Sequence, residues 1–398
     1  MRETGTGTGP DAGLEEQVFF RLKRTVSDRF EVEDIYVSGN TIRFEFKDIK
    51  GDFGSVREEF RMLGYHIYLK RHGEKNICIL TPWRVSPKGK RKATIVAYSL
   101  FAATLVSTTL AGLGQSAGLV YFGLMNNPWV GAFEFSIPLL LILGAHELAH
   151  KWAAVRNGID SSPPYFIPFP LPSSIIGTMG AVIKIKSPMP DRNAAVALGV
   201  SGPLAGFLVA VPVLVAGLYM SPVVPVSRLA GESGLIDLGN SLLIHVVASL
   251  IVHVPENYEM FHHPLAVAGW TGLLVTGLNL IPMGQLDGGH VARALLGARR
   301  HELLSRALAA VLFGAGALWF AGYYGLLGAA GDFVVLRFWP GWLVWGVLGY
   351  LIVRRGYPEP LNDTEPVSAA SRVWGIVALV IFILCFIPNP ISMRALGQ

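Results

Sequence analysis

Three side chains in the stretch Leu139–Trp152, LLLILGAHELAHKW, have the types and spacing for metal-assisted hydrolysis. His146 and His150 stand four residues apart, so on an α-helix they project from one face and can grip one zinc ion, while Glu147 lies beside them to serve as general base. The HExxH pattern is short. With ten histidines in the chain it arises by chance in roughly one such sequence in a hundred. Its surroundings are less common, because the run is apolar enough to lie inside a bilayer. Ionisable groups in a span are costly unless liganded, paired or hydrated, so three of them together mark a functional site.

Catalytic zinc keeps three protein ligands and one open position, so the two histidines need a partner from elsewhere in the chain. Asp287 is the candidate. It lies in Asn279–His290, NLIPMGQLDGGH, where Pro282, Gly284, Gly288 and Gly289 break an apolar helix near the depth of HELAH. Broken backbone at that depth is tolerated only when buried in protein or lining a watery cavity. The alternative for Asp287 is a helix N-cap just beyond the membrane. Asn279 is placed either to donate to a developing oxyanion or to satisfy backbone freed at the break. Residues 175–187, IIGTMGAVIKIKS, alternate enough for an extended edge or hairpin. Gly177, Thr178, Met179 and Gly180 are therefore candidates for holding an unwound substrate by strand addition, set against glycines that only turn a hairpin. His290 is close enough to Asp287 to support a ligand from behind.

The elements that must position these groups are membrane helices. Hydrophobic residues make up 52% of the chain and charged residues only 15%, and several runs approach the length a bilayer requires. The expectation is a polytopic α-helical membrane protein of about seven spans, with a small N-terminal soluble α+β domain and a membrane-associated β-hairpin. The net charge of +5 gathers near span ends, which points to topology control rather than to a nucleic-acid partner. Cys78 and Cys385 lie in different settings and form neither a disulfide framework nor a metal site.

Residues 1–13 are expected as a disordered leader and residues 14–86 as the soluble domain. In it the pattern predicts helices at 14–27 and 54–63, a hairpin in VEDIYVSGNTIRFEF and a second turning at His72–Glu74. The transmembrane domain is expected over 93–390, with its core at 130–297. The basic linker SPKGKRK, residues 86–92, reads as a positive-inside anchor. Spans are then expected near 93–113, 135–155, 194–219, 264–282, 306–328, 338–353 and 371–388, with 234–253 as a re-entrant or extra helix. This arrangement puts the N-terminal domain in the cytoplasm of a cell, or on one side of an organelle membrane in a eukaryote.

HELAH together with NLIPMGQLDGGH resembles the site-2 protease family of intramembrane zinc metalloproteases. The likeness covers roughly residues 130–297 and includes GTMG at Gly177–Gly180 and GPLAG at Gly202–Gly206. It is strongest toward the branch with the plant chloroplast ethylene-dependent gravitropism-deficient proteins and their archaeal and cyanobacterial relatives. The resemblance implies Zn²⁺ held by His146, His150 and Asp287, Glu147 as base, and a transmembrane protein substrate cut within or near its span. No inserted PDZ-like or CBS-like domain is evident. Three other readings compete. GVSG around Ser201 matches a serine-protease tetrad but leaves HELAH unexplained; a CaaX-type zinc protease would need Glu302 as third ligand; a zinc transporter would have no use for Glu147 as a base.

Overall fold

Alternating apolar residues build the N-terminal sheet. In the computed structural model, residues 10–38, 41–82, 90–169, 175–229, 236–357 and 359–393 are described. They fall into two compact units, of which the first takes in the described residues of 1–88, 188–192 and 359–366. Its elements are α1 (Pro10–Arg29), β1 (Phe30–Ser38), β2 (Thr41–Ile49), α2 (Phe53–Met62), β3 (Tyr65–His72) and β4 (Lys75–Pro82). The strands form an antiparallel sheet in the order β1-β2-β4-β3. Phe44 and Phe46, Ile67 and Leu69, and Cys78 and Leu80 are two apart on their strands and all buried. That period of two sends each pair to the same sheet face. Against this face lie Leu22 and Val26 of α1 and Val56 and Phe60 of α2, at the four-residue spacing of a helix stripe. Asp52 caps α2 by accepting from the Ser55 N–H at 3.1 Å.

The first unit is discontinuous in sequence. The Leu69 N–H donates to the Leu361 carbonyl at 2.6 Å and the Asp363 N–H returns to the Leu69 carbonyl at 3.0 Å, so residues 361–363 line the edge of β3. Leu361 N–H in turn donates to the Met189 carbonyl at 2.8 Å. The expected domain limits, 14–86, do not take in these two segments. Of the expected leader, residues 1–9 lie outside the described residues, and Pro10–Gly13 already belong to α1. The Gly39–Asn40 part of the first hairpin turn and residues 86–89 of the basic linker also lie outside them.

The second unit comprises 89–187, 193–358 and 367–398. It contains α3 (Lys90–Tyr121), α4 (Pro128–Arg156), β5 (Tyr165–Pro168), β6 (Thr178–Val182) and α5 (Arg192–Tyr219). There follow β7 (Val223–Pro225), β8 (Ile236–Leu238), α6 (Leu242–Ile251), β9 (Tyr258–Met260), α7 (Pro264–Asn279) and α8 (Asp287–Leu296). The chain continues through α9 (Ala298–Tyr323), α10 (Gly331–Arg337), α11 (Gly341–Arg354), α12 (Ala369–Cys385) and β10 (Ile391–Met393). The β-elements here are two-stranded antiparallel pairs, β5 with β6, β7 with β9 and β8 with β10.

Four of the described helices, α3, α4, α5 and α9, are long and apolar enough to cross a membrane. Seven were expected. At the other three places stand shorter helices: α7 with 16 residues, α11 with 14 and α12 with 17. At 1.5 Å per residue they reach only about 21 to 26 Å, less than the roughly 30 Å of a hydrocarbon core. The cause is local in α7, which stops at Asn279 because Pro282 follows and Gly284 takes φ +54°. Residues 242–251, inside the expected re-entrant segment, form the ten-residue α6.

Candidate active site

Helix α4 turns its apolar periodicity into a ligand face. Asn127 caps it by accepting from the Trp129 N–H at 3.0 Å, and Pro128 sits in the first turn. Leu139, Ile142, Leu143, His146, Glu147, His150, Ala153 and Ala154 are all buried, tracing one stripe at helical spacing. The zinc-motif side chains are therefore the continuation of a core-facing stripe, and α5 and α7 supply what they face.

Glycines on α5 make the room. A Cβ at Gly202 would lie 2.1 Å from His150 Nε2, and one at Gly206 would lie 3.2 Å from His146 Nδ1. The GPLAG segment thus places two glycines four apart, each opposite one of the two histidines, which are also four apart. On α7, Gly272 does the same for Ile142, one turn further along.

Asp287 arrives from a broken helix. After α7 ends, residues 280–286 form a tight turn fixed by the Ser305 hydroxyl, which accepts from the Gly284 N–H at 3.0 Å. Gly288 and Gly289 let the first turn of α8 lie directly on that turn, since a Cβ at either would meet the Leu280 or Gly284 carbonyl oxygen at 2.0 and 2.3 Å. Asp287 is the first residue of α8, and Leu286 holds the cap position without a side-chain bond. The carboxylate is directed at the histidines instead of capping the helix.

Three donor atoms converge. Asp287 Oδ2 lies 3.1 Å from His146 Nε2 and 3.2 Å from His150 Nε2, and the two Nε2 atoms are 3.0 Å apart. His150 Nδ1 lies 2.8 Å from the Leu198 carbonyl oxygen, which can only accept, so Nδ1 carries a hydrogen and the neutral ring presents its lone pair at Nε2. Lone pairs and a carboxylate packed this closely repel unless a cation lies among them. Their separations also approach the roughly 3.3 Å edge of a tetrahedron with zinc-to-ligand bonds of about 2.0–2.1 Å, so the residues fit a zinc ion. Glu147 groups with both histidines within 4.8 Å, but its nearest oxygen is 4.0 Å from His146 Nε2. It stands further out than Asp287, beside the triangle rather than in it.

The cavity at this triangle, about 180 Å³, is lined by the four residues together with Ala181–Ile183, Ile185, Leu198, Asn279, Gln285, Leu286 and His290. Asn279 Nδ2 is 3.4 Å from His146 Nε2. Gly177–Gly180 are not among the lining residues. Gly177, at φ +74°, accepts from Ser107 Oγ at 2.7 Å, and the Thr178 hydroxyl donates to the Ile167 carbonyl at 2.8 Å. Gly180 N–H donates to Thr178 Oγ1 at 3.0 Å, and Met179 is exposed. The tetrad ties the hairpin to α3, and the next residues of the strand form the cavity wall. Ile183 and Glu147 both line that cavity. Lys184 and Lys186 direct their backbone to Ser162 and Asp160 on the β5 side, which leaves residues 181, 183 and 185 facing the opposite edge.

Sequence reasoning missed this shift of four residues along the strand, and it missed Tyr357. That hydroxyl is 2.5 Å from His290 Nδ1, and its ring packs against His301 at 5.3 Å between centroids. No local signal in GYPEP marks it. The competing sites do not assemble. Ser201 Oγ donates to the Leu198 carbonyl of its own helix at 3.0 Å, and the exposed Glu302 pairs with Arg306.

Residues 134–321 match Peptidase family M50. That stretch is just under half of the chain. The matched stretch takes in most of α4 with HELAH, the β5–β6 hairpin, α5, α7 and α8. Among curated proteins, probable zinc metalloprotease EGY1, chloroplastic, of Oryza sativa subsp. japonica is 32% identical over 266 residues, 65% of this chain and 41% of that protein. Its Arabidopsis thaliana counterpart is 30% identical over 266 residues, 65% of this chain and 43% of the relative. Probable zinc metalloprotease EGY2, chloroplastic, of Oryza sativa subsp. indica is 31% identical over 256 residues, 63% of this chain and 41% of the relative. The matches thus span about two fifths of the length of these relatives. No solved structure matches the chain.

Proposed function

We propose that this protein is a zinc-dependent intramembrane endopeptidase that hydrolyses peptide bonds within or near the transmembrane segments of other membrane proteins. The observation that carries the reading is the 3.0–3.2 Å triangle of His146 Nε2, His150 Nε2 and Asp287 Oδ2, with Glu147 beside it and α4 around it. In this reading the two histidines and Asp287 hold the metal. Bound zinc supplies Lewis acidity to the attacking water and to the scissile carbonyl. Glu147 takes the water proton and delivers it to the leaving amine, which balances the hydrolysis without any other titrating group. Asn279, close to His146, is the side-chain donor best placed for the oxyanion.

A transmembrane helix shields its peptide bonds with its own hydrogen bonds and must be opened before it is cut. The open edge of residues 181–185 supports binding of the unwound stretch as an added strand, next to the base. Gly177–Gly180 then serve by anchoring that strand. The topology that goes with this reading has seven crossings, the shorter helices completing the four long ones. The N-terminal unit and the arginines of Arg299–Arg300 and Arg354–Arg355 then lie on the cytoplasmic side.

The test is to incubate the purified protein with a single-span substrate, with and without a zinc chelator, and to map the cut. A chelator-sensitive cut inside the hydrophobic span supports the proposal. Cuts confined to soluble segments would instead favour a membrane zinc protease of peripheral peptides.

A further inference from the structure

Away from the metal site, α9 and α11 enclose a groove of about 920 Å³, at the upper end of the roughly 300–1,000 Å³ that ligand pockets occupy. The two helices touch backbone to backbone where a Cβ at Gly346 would lie 2.4 Å from the Phe313 nitrogen and one at Gly316 would lie 2.2 Å from the Leu343 nitrogen. Small residues then leave space along the pair toward Arg306 and Arg354. Ala309, Ala310 and Phe313 form one wall at helical spacing, and Val347, Tyr350 and Val353 form the other.

The groove is amphipathic along its length. Its walls are apolar, but one end carries Arg306 of α9 and Arg354, the last residue of α11. Glu302 holds Arg306 through Nη2, which leaves the other guanidinium nitrogens to a ligand. Arg354 has no carboxylate paired with it among the described residues. With Arg299, Arg300 and Arg355 nearby in sequence, this end of the two helices carries five arginines against one glutamate. The opposite end of α9 is aromatic: Trp319 stacks on the exposed Tyr323 at 5.1 Å. Seventeen residues separate Arg306 from Tyr323, about 25 Å along the helix, close to one hydrocarbon thickness. Arginine at one end and a Trp/Tyr pair at the other is the pattern of a helix in contact with lipid. Of the four long apolar helices, α9 is the least buried.

We propose that this groove is a binding site for an anionic phospholipid, with its phosphate between Arg306 and Arg354 and an acyl chain along the Ala309, Phe313 and Val347 walls. The charge at the mouth selects the headgroup: guanidinium groups bind phosphate through charge-assisted, often bidentate, hydrogen bonds, and a zwitterionic lipid repays less because its own cation remains beside them. The walls select a tailed molecule over free phosphate. Binding at this groove is independent of whether the protein cuts peptides.

The full-length protein in detergent is titrated with phosphatidylglycerol or phosphatidylcholine of identical acyl chains and followed by native mass spectrometry. Phosphatidylglycerol is expected to bind at least about tenfold more tightly. Arg306→Gln with Arg354→Gln should abolish that preference, while Arg299→Gln with Arg300→Gln should keep it. Val347→Trp, at an exposed wall position, should weaken both lipids by filling the groove. Equal binding of the two lipids by the wild type would overturn the proposal. So would a preference that survives loss of Arg306 and Arg354, one lost equally with Arg299 and Arg300, or inorganic phosphate competing as well as the lipid does.

Discussion

Gly202→Ala is the sharpest perturbation of the metal centre that leaves every ligand in place. The added Cβ would stand 2.1 Å from His150 Nε2 and 2.5 Å from both Cδ2 and Cε1 of the same ring. Ordinary contact requires about 3.5 Å, so ring and helix must separate by more than 1 Å. His150 has little freedom to yield, because Nδ1 is held by the Leu198 carbonyl at 2.8 Å. A zinc site tolerates ligand displacements of about 0.2 Å, so the shift exceeds the tolerance several-fold. We expect zinc affinity to fall by at least about tenfold, the scale seen when supporting groups are disturbed, with cleavage falling alongside. The overpacking should also cost roughly 1–3 kcal/mol of stability. Gly206→Ala is the internal control: its Cβ would lie 3.2 Å from His146 Nδ1, a crowding relieved by a few tenths of an ångström. The assay is metal content and competitive zinc titration of both variants beside cleavage of one substrate. A Gly202→Ala protein with wild-type zinc affinity and activity would refute the packing of α5 against the ligands.

Glu147→Gln should keep bound zinc while cleavage drops by about 10²- to 10⁴-fold, because proton transfer is lost and the ligands survive; zinc loss with residual cleavage would remove Glu147 from the role of base. Ile183→Pro deletes a backbone N–H facing the cavity, and kcat/KM should fall at least about tenfold with zinc content unchanged. Wild-type turnover in that variant would exclude residues 181–185 from substrate binding. Burial pushes the Cys78 thiol well above its ordinary range, and the residue lies in the core between β2 and β3. Maleimide should therefore leave Cys78 unlabelled in the native protein near pH 8 and label it after denaturation, as read by mass spectrometry; rapid native labelling would contradict the sheet.

The readable parts of the sequence were those with a local period. Helix spacing brought His146, Glu147 and His150 to one stripe, strand alternation marked both N-terminal hairpins, and Pro282 with Gly284 marked the break that delivers Asp287. Relationships between distant segments left no such trace. Nothing near Gly202 says that its missing Cβ is the space occupied by His150. The GTMG tetrad attracts notice through its glycines, but Gly177 serves a close approach to α3 at Ser107, and the strand joins the cavity wall only from Ala181 onward. Residues 359–366 look like a polar linker, yet Asn362 is almost wholly buried in the first unit, its side-chain oxygen accepting from the Thr364 N–H at 3.0 Å. The seven expected spans came from apolar runs and the alternation of basic flanks, which mark where crossings lie but not that α7, α11 and α12 are shorter than a hydrocarbon core.

The central claim is that a carboxylate delivered from a broken helix completes the histidine pair. Zinc-edge X-ray absorption on the purified wild type and on Asp287→Ala tests it most directly. One zinc per wild-type chain is expected, in a shell of two imidazole nitrogens and oxygen at about 2.0–2.1 Å, with a marked loss of zinc from the variant. An unchanged zinc content and shell in Asp287→Ala would show that the third ligand is another residue, and the proposed site would fall with it.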